Sequence, residues 1–464
     1  MNNIPEERCM SERRPFVPAL IVLALAVILG SCSADKNGDV VTPVDIPAAS
    51  MSYVVLAWSE TGMHFMNPTY TADVLSPPYN TILAQVIRRG DPPEIVTTGV
   101  TLDYTIVGNT FSYGKSTADP DPIRAYAPFW DNSLTLFDVD LVPNTGLNFV
   151  DPDIHNGLTG TMLLKGNRFQ VDGVPVVPIT DPTVADPAGV WDPYQVAEIT
   201  VHDATTGALL ATTRTTVETS DEINCAKCHG QTVNDVEIGS VLSEHDESQE
   251  TTFVADGQPV LCASCHDSLA LGRTGSTTAE ETFSYAIHIF HYDQTIACYD
   301  CHPGDTTKAN RSTAHTADDG SCTNCHGTLV NLAATIAGGR VPWQTEPKCV
   351  DCHTFVAEVD TGTALYRNGV GHGDLSCPAC HGPAHAQVPS DKDADNHQAM
   401  QYQNKALSIG SCKVCHSTAK GGGLLGVVDA HGGGRPTSCM VCHTGPITTT
   451  NPLNFPHRFQ QRNR

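Results

Sequence analysis

Between Cys225 and His443 the pattern Cys-x-x-Cys-His occurs eight times. The paired thiols are Cys225 and Cys228, Cys262 and Cys265, Cys298 and Cys301, Cys322 and Cys325, Cys349 and Cys352, Cys377 and Cys380, Cys412 and Cys415, and Cys439 and Cys442. The histidines that follow are His229, His266, His302, His326, His353, His381, His416 and His443. Two thiols held two residues apart can both add to the vinyl groups of one porphyrin, and the next residue then offers the iron a nitrogen. Zinc ribbons also use Cys-x-x-Cys pairs, and exported chains are often stapled by disulfides. Neither chemistry requires a His directly after every second Cys. The motifs therefore predict eight covalent haem c groups per chain. With about 27 residues of chain per haem, little polypeptide remains for an apolar core. The porphyrins must supply much of it, wrapped by loops and short helices, as Gly421-Gly422-Gly423 and Gly432-Gly433-Gly434 suggest. Haems packed this densely lie close together, which is what electron hopping needs.

Each iron has a sixth position to fill. The chain has twenty histidines; eight close the motifs and three, His64, His155 and His202, precede Cys225. Nine remain as distal candidates: His245, His288, His291, His315, His372, His385, His397, His431 and His457. His288 and His291 are three apart, so one helical turn could present them to two neighbouring haems. Met400 and Met440 are the only methionines after Cys225, and Met440 lies inside an attachment motif, so Met ligation is nearly excluded. Bis-His coordination follows as the expectation, and without the potential-raising Met/His pair it argues for low-potential carriers. The acidic run Asp391-Lys392-Asp393-Ala394-Asp395-Asn396 opens like a calcium loop but lacks its sixth-position Gly and has Tyr402 in place of the final Glu. It reads as a solvated turn.

Residues 51–220 contain no Cys and read as a β-rich, sandwich-like domain. Val196–His202 alternates apolar and polar residues, and Leu209–Val217 reads as its returning strand. Hairpins are expected around Gly108-Asn109 and Asp172-Gly173. The expected fold class is thus an all-β sandwich-like domain followed, over 221–464, by a loop-rich cytochrome domain of irregular chain and short helices. The β-rich domain shows no nucleophile motif, phosphate loop or metal triad. His64 reads as a satisfied structural histidine, and a presentation or docking role is expected for the domain.

At the N-terminus, Arg8, Arg13 and Arg14 precede an apolar run from Phe16 to Leu29 that suits a signal peptide and is short for a membrane span. It ends in Leu29-Gly30-Ser31-Cys32, a lipobox-like sequence. The expectation is a signal peptide over 1–31, lipid on Cys32, and a flexible tether over 32–50. A formal charge of -25, made more negative by haem propionates, excludes a nucleic-acid partner on electrostatic grounds.

The lipobox, the attachment motifs and segments such as Gly371-His372-Gly373 and His381-Gly382-Pro383-Ala384-His385 together resemble the outer-surface multihaem c-type cytochromes of metal-reducing bacteria. The resemblance covers 221–464 firmly and the β-rich half loosely. It implies extracellular electron transfer from periplasmic or outer-membrane redox proteins to metal oxides or other external acceptors, by a protein lipid-anchored at the outer membrane or cell surface. It also implies a capacity for self-assembly into filaments, with His457 as a donor to a neighbouring subunit. The alternative is a multihaem reductase of a small oxyanion such as nitrite, hydroxylamine or tetrathionate. That chemistry needs one open iron, whereas here every motif ends in His and the distal candidates outnumber the motifs. An electron carrier is therefore expected rather than a dedicated catalyst, with no catalytic residue.

Overall fold

The computed structural model describes residues 52–90, 92–117, 123–233, 236–274, 282–292, 296–313, 315, 321–349 and 365–417. The signal segment, Cys32 and its tether, Cys352, His353, His431, His457 and the motif Cys439–His443 lie outside the described residues.

Two antiparallel sheets form a sandwich in the N-terminal half. The first runs Tyr53–Ser59, Asn80–Arg88, Arg168–Val174, Leu163–Lys165, with Glu94–Ile95 added to the second of these strands. The other runs Leu209–Thr216, Val196–Asp203, Val100–Ile106, Thr159–Thr161. Val55, Ala57, Ile82, Ala84 and Val86 from the first sheet meet Leu102, Tyr104, Ile106, Ala197, Ile199 and Val201 from the second in one dry core. Val196–Asp203 alternates buried and half-buried residues, as its sequence predicts.

Tyr53–Ser59 and Asn80–Arg88 are buried along nearly their whole length, because both of their faces are covered. Their inward residues fill the sandwich. Their outward residues Val54, Leu56, Trp58, Leu83 and Ile87 pack against Ala379, Tyr402 and Val414 from the C-terminal half. A helix, His397–Gln403, then seals the exposed edges of both sheets. Gln398 accepts a hydrogen bond from Ala57 N at 2.9 Å and donates to the carbonyls of Ala57 and Arg214. Gln401 donates to Thr212 O at 2.8 Å, and the Tyr402 hydroxyl donates to Val55 O at 2.8 Å. These side chains do for the edge strands what a further strand would do, so their backbone groups are not left unpaired.

Two expected hairpins are absent. Thr110–Tyr113 is not a strand: Val100–Ile106 already has a partner on each side, Val196–Asp203 and Thr159–Thr161. Asn109 instead turns inward, donating to Gln195 Oε1 at 2.6 Å and accepting from Lys115 Nζ at 2.7 Å. Asp172-Gly173 is not a turn either. It is a bulge within the single strand Arg168–Val174, with Gly173 at φ 72°. A Cβ on Gly173 would lie 1.7 Å from Leu147 O, so only Gly fits there. The actual hairpin turns at Gly166-Asn167, between Lys165 and Arg168.

A second core joins the halves. Tyr70, Tyr126, Phe129 and Trp130 gather against Leu261, Ala263 and Leu271, and Asp73–Val74 pairs in parallel with Val260–Leu261. Short helices carry the rest of the C-terminal half, among them Val241–Gln249, Phe283–His291 and Leu329–Ala337. Each starts at a Ser or Thr cap, Ser240, Thr282 and Thr328, whose hydroxyl accepts a free backbone N–H. No helix among the described residues is long and apolar enough to cross a membrane.

Candidate haem centres

The described attachment motifs form single turns. Cys225–Lys227, Cys262–Ser264, Cys298–Asp300 and Cys412–Val414 are 3-10 turns, while Ser321–His326 and Cys377–His381 are α-helical. In the first three, the His amide donates to the carbonyl of the first Cys: His229 N to Cys225 O at 2.8 Å, His266 N to Cys262 O at 3.0 Å and His302 N to Cys298 O at 2.7 Å. Residues i, i+3 and i+4 of such a turn share one side, so both thiols and the imidazole face the same space. The described cysteines whose side chains are placed are free thiols, the form that thioether attachment requires. Motifs also meet one another. The Cys298 thiol is hydrogen-bonded to Cys322, and the Cys225 thiol has Asp73, Cys262 and Cys301 as neighbours.

Four motif histidines each face a histidine from the distal candidates. His229 lies beside His291 with ring centroids 6.2 Å apart and ring planes at 82°, and His266 beside His245 at 6.5 Å and 79°. His302 faces His288 at 5.9 Å, and His326 faces His385 at 6.2 Å, the last two pairs lying within 21° and 11° of parallel. An imidazole nitrogen binds a metal at about 2.0–2.1 Å and lies about 1.1 Å from its ring centre, so one metal atom between two rings sets their centroids about 6.3 Å apart. The observed separations match that value. His288 and His291, on the same helix Phe283–His291, address the rings of two different motifs.

Hydrogen bonding leaves the second nitrogen of each of these distal rings for a metal. His288 Nδ1–H donates to Ser284 O at 2.6 Å, His291 Nδ1–H to Ile287 O at 2.7 Å and His385 Nδ1–H to Thr61 O at 2.9 Å. The Thr251 hydroxyl donates to Asp246 at 2.6 Å, so it accepts from His245 Nδ1–H at 3.0 Å. A metal-bound histidine characteristically gives its other N–H to a carbonyl or hydroxyl, which fixes tautomer and ring orientation. Burial pushes His302 and His385 down to about 4 and lowers His288 as well. These rings are therefore neutral at pH 7, with the lone pair that a metal ligand needs. Free thiols, paired imidazoles and anchored Nδ1–H groups all fit haem c, which supplies one-electron chemistry when bound.

The other candidates are placed as follows. His381 shares a 3.0 Å hydrogen bond with Ser408 Oγ. His315 lies beside Ser312, His372 sits in the turn His372–Asp374, and His416 follows the turn Cys412–Val414. His397 opens the edge-sealing helix beside Arg214 and Glu198; no ring pair among the described residues includes it. His64 is tied through Nε2 to Pro77 O at 2.9 Å. The calcium-like run is spent otherwise: Asp395 takes both the Nε and Nη2 of the buried Arg311, at 2.8 and 3.0 Å, and Asn396 pins Ser390.

Two residues near these centres carry no sequence signal. Thr61 supplies the carbonyl that anchors His385 from 324 positions away, and the Phe65 ring sits edge-on to His302 at 5.1 Å. Both belong to the half without haem motifs.

Residues 290–360 match the family model described as cytochrome c3. That stretch includes His291, His315 and the motifs starting at Cys298, Cys322 and Cys349. The match supports a multihaem c-type cytochrome. Haem c is accordingly the covalent cofactor, and electron transfer is its function. No curated protein and no solved structure matches the chain.

Proposed function

We propose that this protein carries electrons through a closely packed array of eight bis-His c-type haems, in outer-surface respiration to metal oxides or other external acceptors. The observation that supports this best is the set of four facing ring pairs at 5.9–6.5 Å. An iron held by both rings has no position left for a substrate, so the arrangement suits outer-sphere electron passage. The protein's own part is to orient the distal imidazoles through their Nδ1–H groups, keep His288, His302 and His385 neutral by burial, and bring successive motifs together. Cys298 beside Cys322 and the shared helix of His288 and His291 keep neighbouring centres close. Other redox proteins are its donors, and a lipid on Cys32 holds it at the cell surface. Replacing Cys32 with Ser should release it from membranes, and continued retention would refute lipidation.

Carbon monoxide titration of the reduced holoprotein tests the main reading. Haems closed on both faces should bind almost none. One haem per chain that takes up carbon monoxide readily would instead support reduction of a small oxyanion at an open iron. Intact mass should show eight haems, and fewer would contradict the motif reading.

A further inference from the structure

We propose that the loop Thr61–Phe65, in the half that carries no haem motif, is the positioning element for two axial histidines, His385 and His302. The proposal rests on the bis-His reading above. The loop leaves the strand Tyr53–Ser59, which is packed on both faces, so it starts from a rigid base. Its own shape is pinned at both ends. Thr61 Oγ1 donates to Met63 O at 2.7 Å; Ser220 N donates to His64 O at 2.9 Å, and Met66 N to Ser220 O at 2.8 Å.

From this base the loop grips residue 385 in three ways. Thr61 O accepts both the ring Nδ1–H of His385, at 2.9 Å, and its backbone N–H, at 3.1 Å. One carbonyl thus fixes where residue 385 sits and how its ring is turned. Gly62 O accepts from Arg311 Nη1 at 2.8 Å, while Arg311 N donates to His385 O at 2.8 Å, so a buried Arg closes a circuit from loop to histidine. Finally, Gly62 packs flush against the His385 segment. A Cβ there would meet Pro383 Cγ at 2.9 Å, Ala386 N at 3.0 Å and His385 N at 3.2 Å. Phe65 completes the element with its ring edge-on to His302, at an angle of 74°. A carbonyl on Nδ1–H holds the tautomer that directs Nε2 at the metal and makes the ring a stronger ligand, and losing such a support typically costs about 10–100-fold in metal affinity or activity.

The comparison of Gly62→Ala with Gly99→Ala separates positioning from plain backbone strain. Gly62 and Gly99 have nearly the same conformation, φ +77° and +74°, but a Cβ on Gly99 meets nothing within 4 Å. Both variants carry the left-handed penalty; only Gly62→Ala pushes on His385. In full-length holoprotein with haem content verified by mass, Gly62→Ala should gain about one carbon-monoxide-binding haem per chain, with a high-spin signal in the oxidised state, while Gly99→Ala should gain none. A Gly62→Ala protein as inert to carbon monoxide as Gly99→Ala overturns the proposal. If Gly62→Ala does not accumulate, Phe65→Leu decides: the low-spin electron paramagnetic resonance signal of one haem should shift, and a spectrum identical to wild type overturns it. Wild-type protein that already binds carbon monoxide would sink the bis-His reading itself, a failure seen before any variant is compared.

Discussion

His288 and His291 show how one residue's role depends on its neighbours. Both lie in the last turn of Phe283–His291, both give Nδ1–H to the carbonyl four residues back, and each faces a different motif. Their spacing was enough to suggest two neighbouring haems, because residues three apart share a helix face. Their actual partners, His302 and His229, were not legible, since nothing in local spacing says which motif folds back onto the helix. Replacing either with Ala should open one iron. His288→Ala and His291→Ala should each bind about one carbon monoxide per chain, and the double variant about two. Loss of both from a single haem, with only one site in the double variant, would show that the two rings do not serve separate centres.

At the scale of elements, the sandwich was readable where its strands have one wet face. Val196–Asp203 and Leu209–Thr216 alternate and pair as their residues suggest. Tyr53–Ser59 and Asn80–Arg88 do not alternate, because the second face is covered by the C-terminal half; a short apolar run such as Ile82–Ala84 or Val54–Trp58 leaves strand and helix indistinguishable by period. The turn at Gly166-Asn167 bears the same kind of dipeptide cue as Gly108-Asn109, yet only the former makes a hairpin. The strand before Gly108 already has both edges filled by distant strands, and a local turn preference cannot displace two ladders. The helix His397–Gln403 is itself a tertiary device, since Gln398 satisfies both backbone groups of Ala57. Gln398→Ala leaves them unpaired and should cost about 1–3 kcal/mol, read as a lower denaturation midpoint of the holoprotein. An unchanged midpoint would mean that water replaces the glutamine without loss.

Across the whole molecule, the halves are joined by two apolar cores and by a buried polar knot. Arg311 is held bidentately by Asp395 and lies 3.6 Å from Glu218, all three being almost wholly buried. Two carboxylates thus share one guanidinium, and burial pushes Glu218 up to about 7 from 4.5. The folded protein therefore binds this proton more tightly than the unfolded chain does. Its contribution to stability is present at low pH and is lost as pH rises from about 4.5 through about 7, on the order of 3 kcal/mol. Glu218→Gln cannot lose a proton, so unfolding at pH 5 and pH 8 should show a smaller decline for the variant than for wild type. Equal declines in the two proteins would assign the pH dependence to other groups.

Covalent and local features are legible in the residues alone. Thiol pairs and the histidine beside them are bound within one turn of chain, so haem attachment and the spare histidines could be read directly from spacing. The β character of the first half was likewise visible wherever one face meets water. Which rings pair, why two strands are buried on both faces, and that Thr61 and Phe65 contact histidines hundreds of residues away emerge only from the folded chain. Axial pairing, double-sided burial and backbone anchoring are relations between distant segments, and no local pattern carries them.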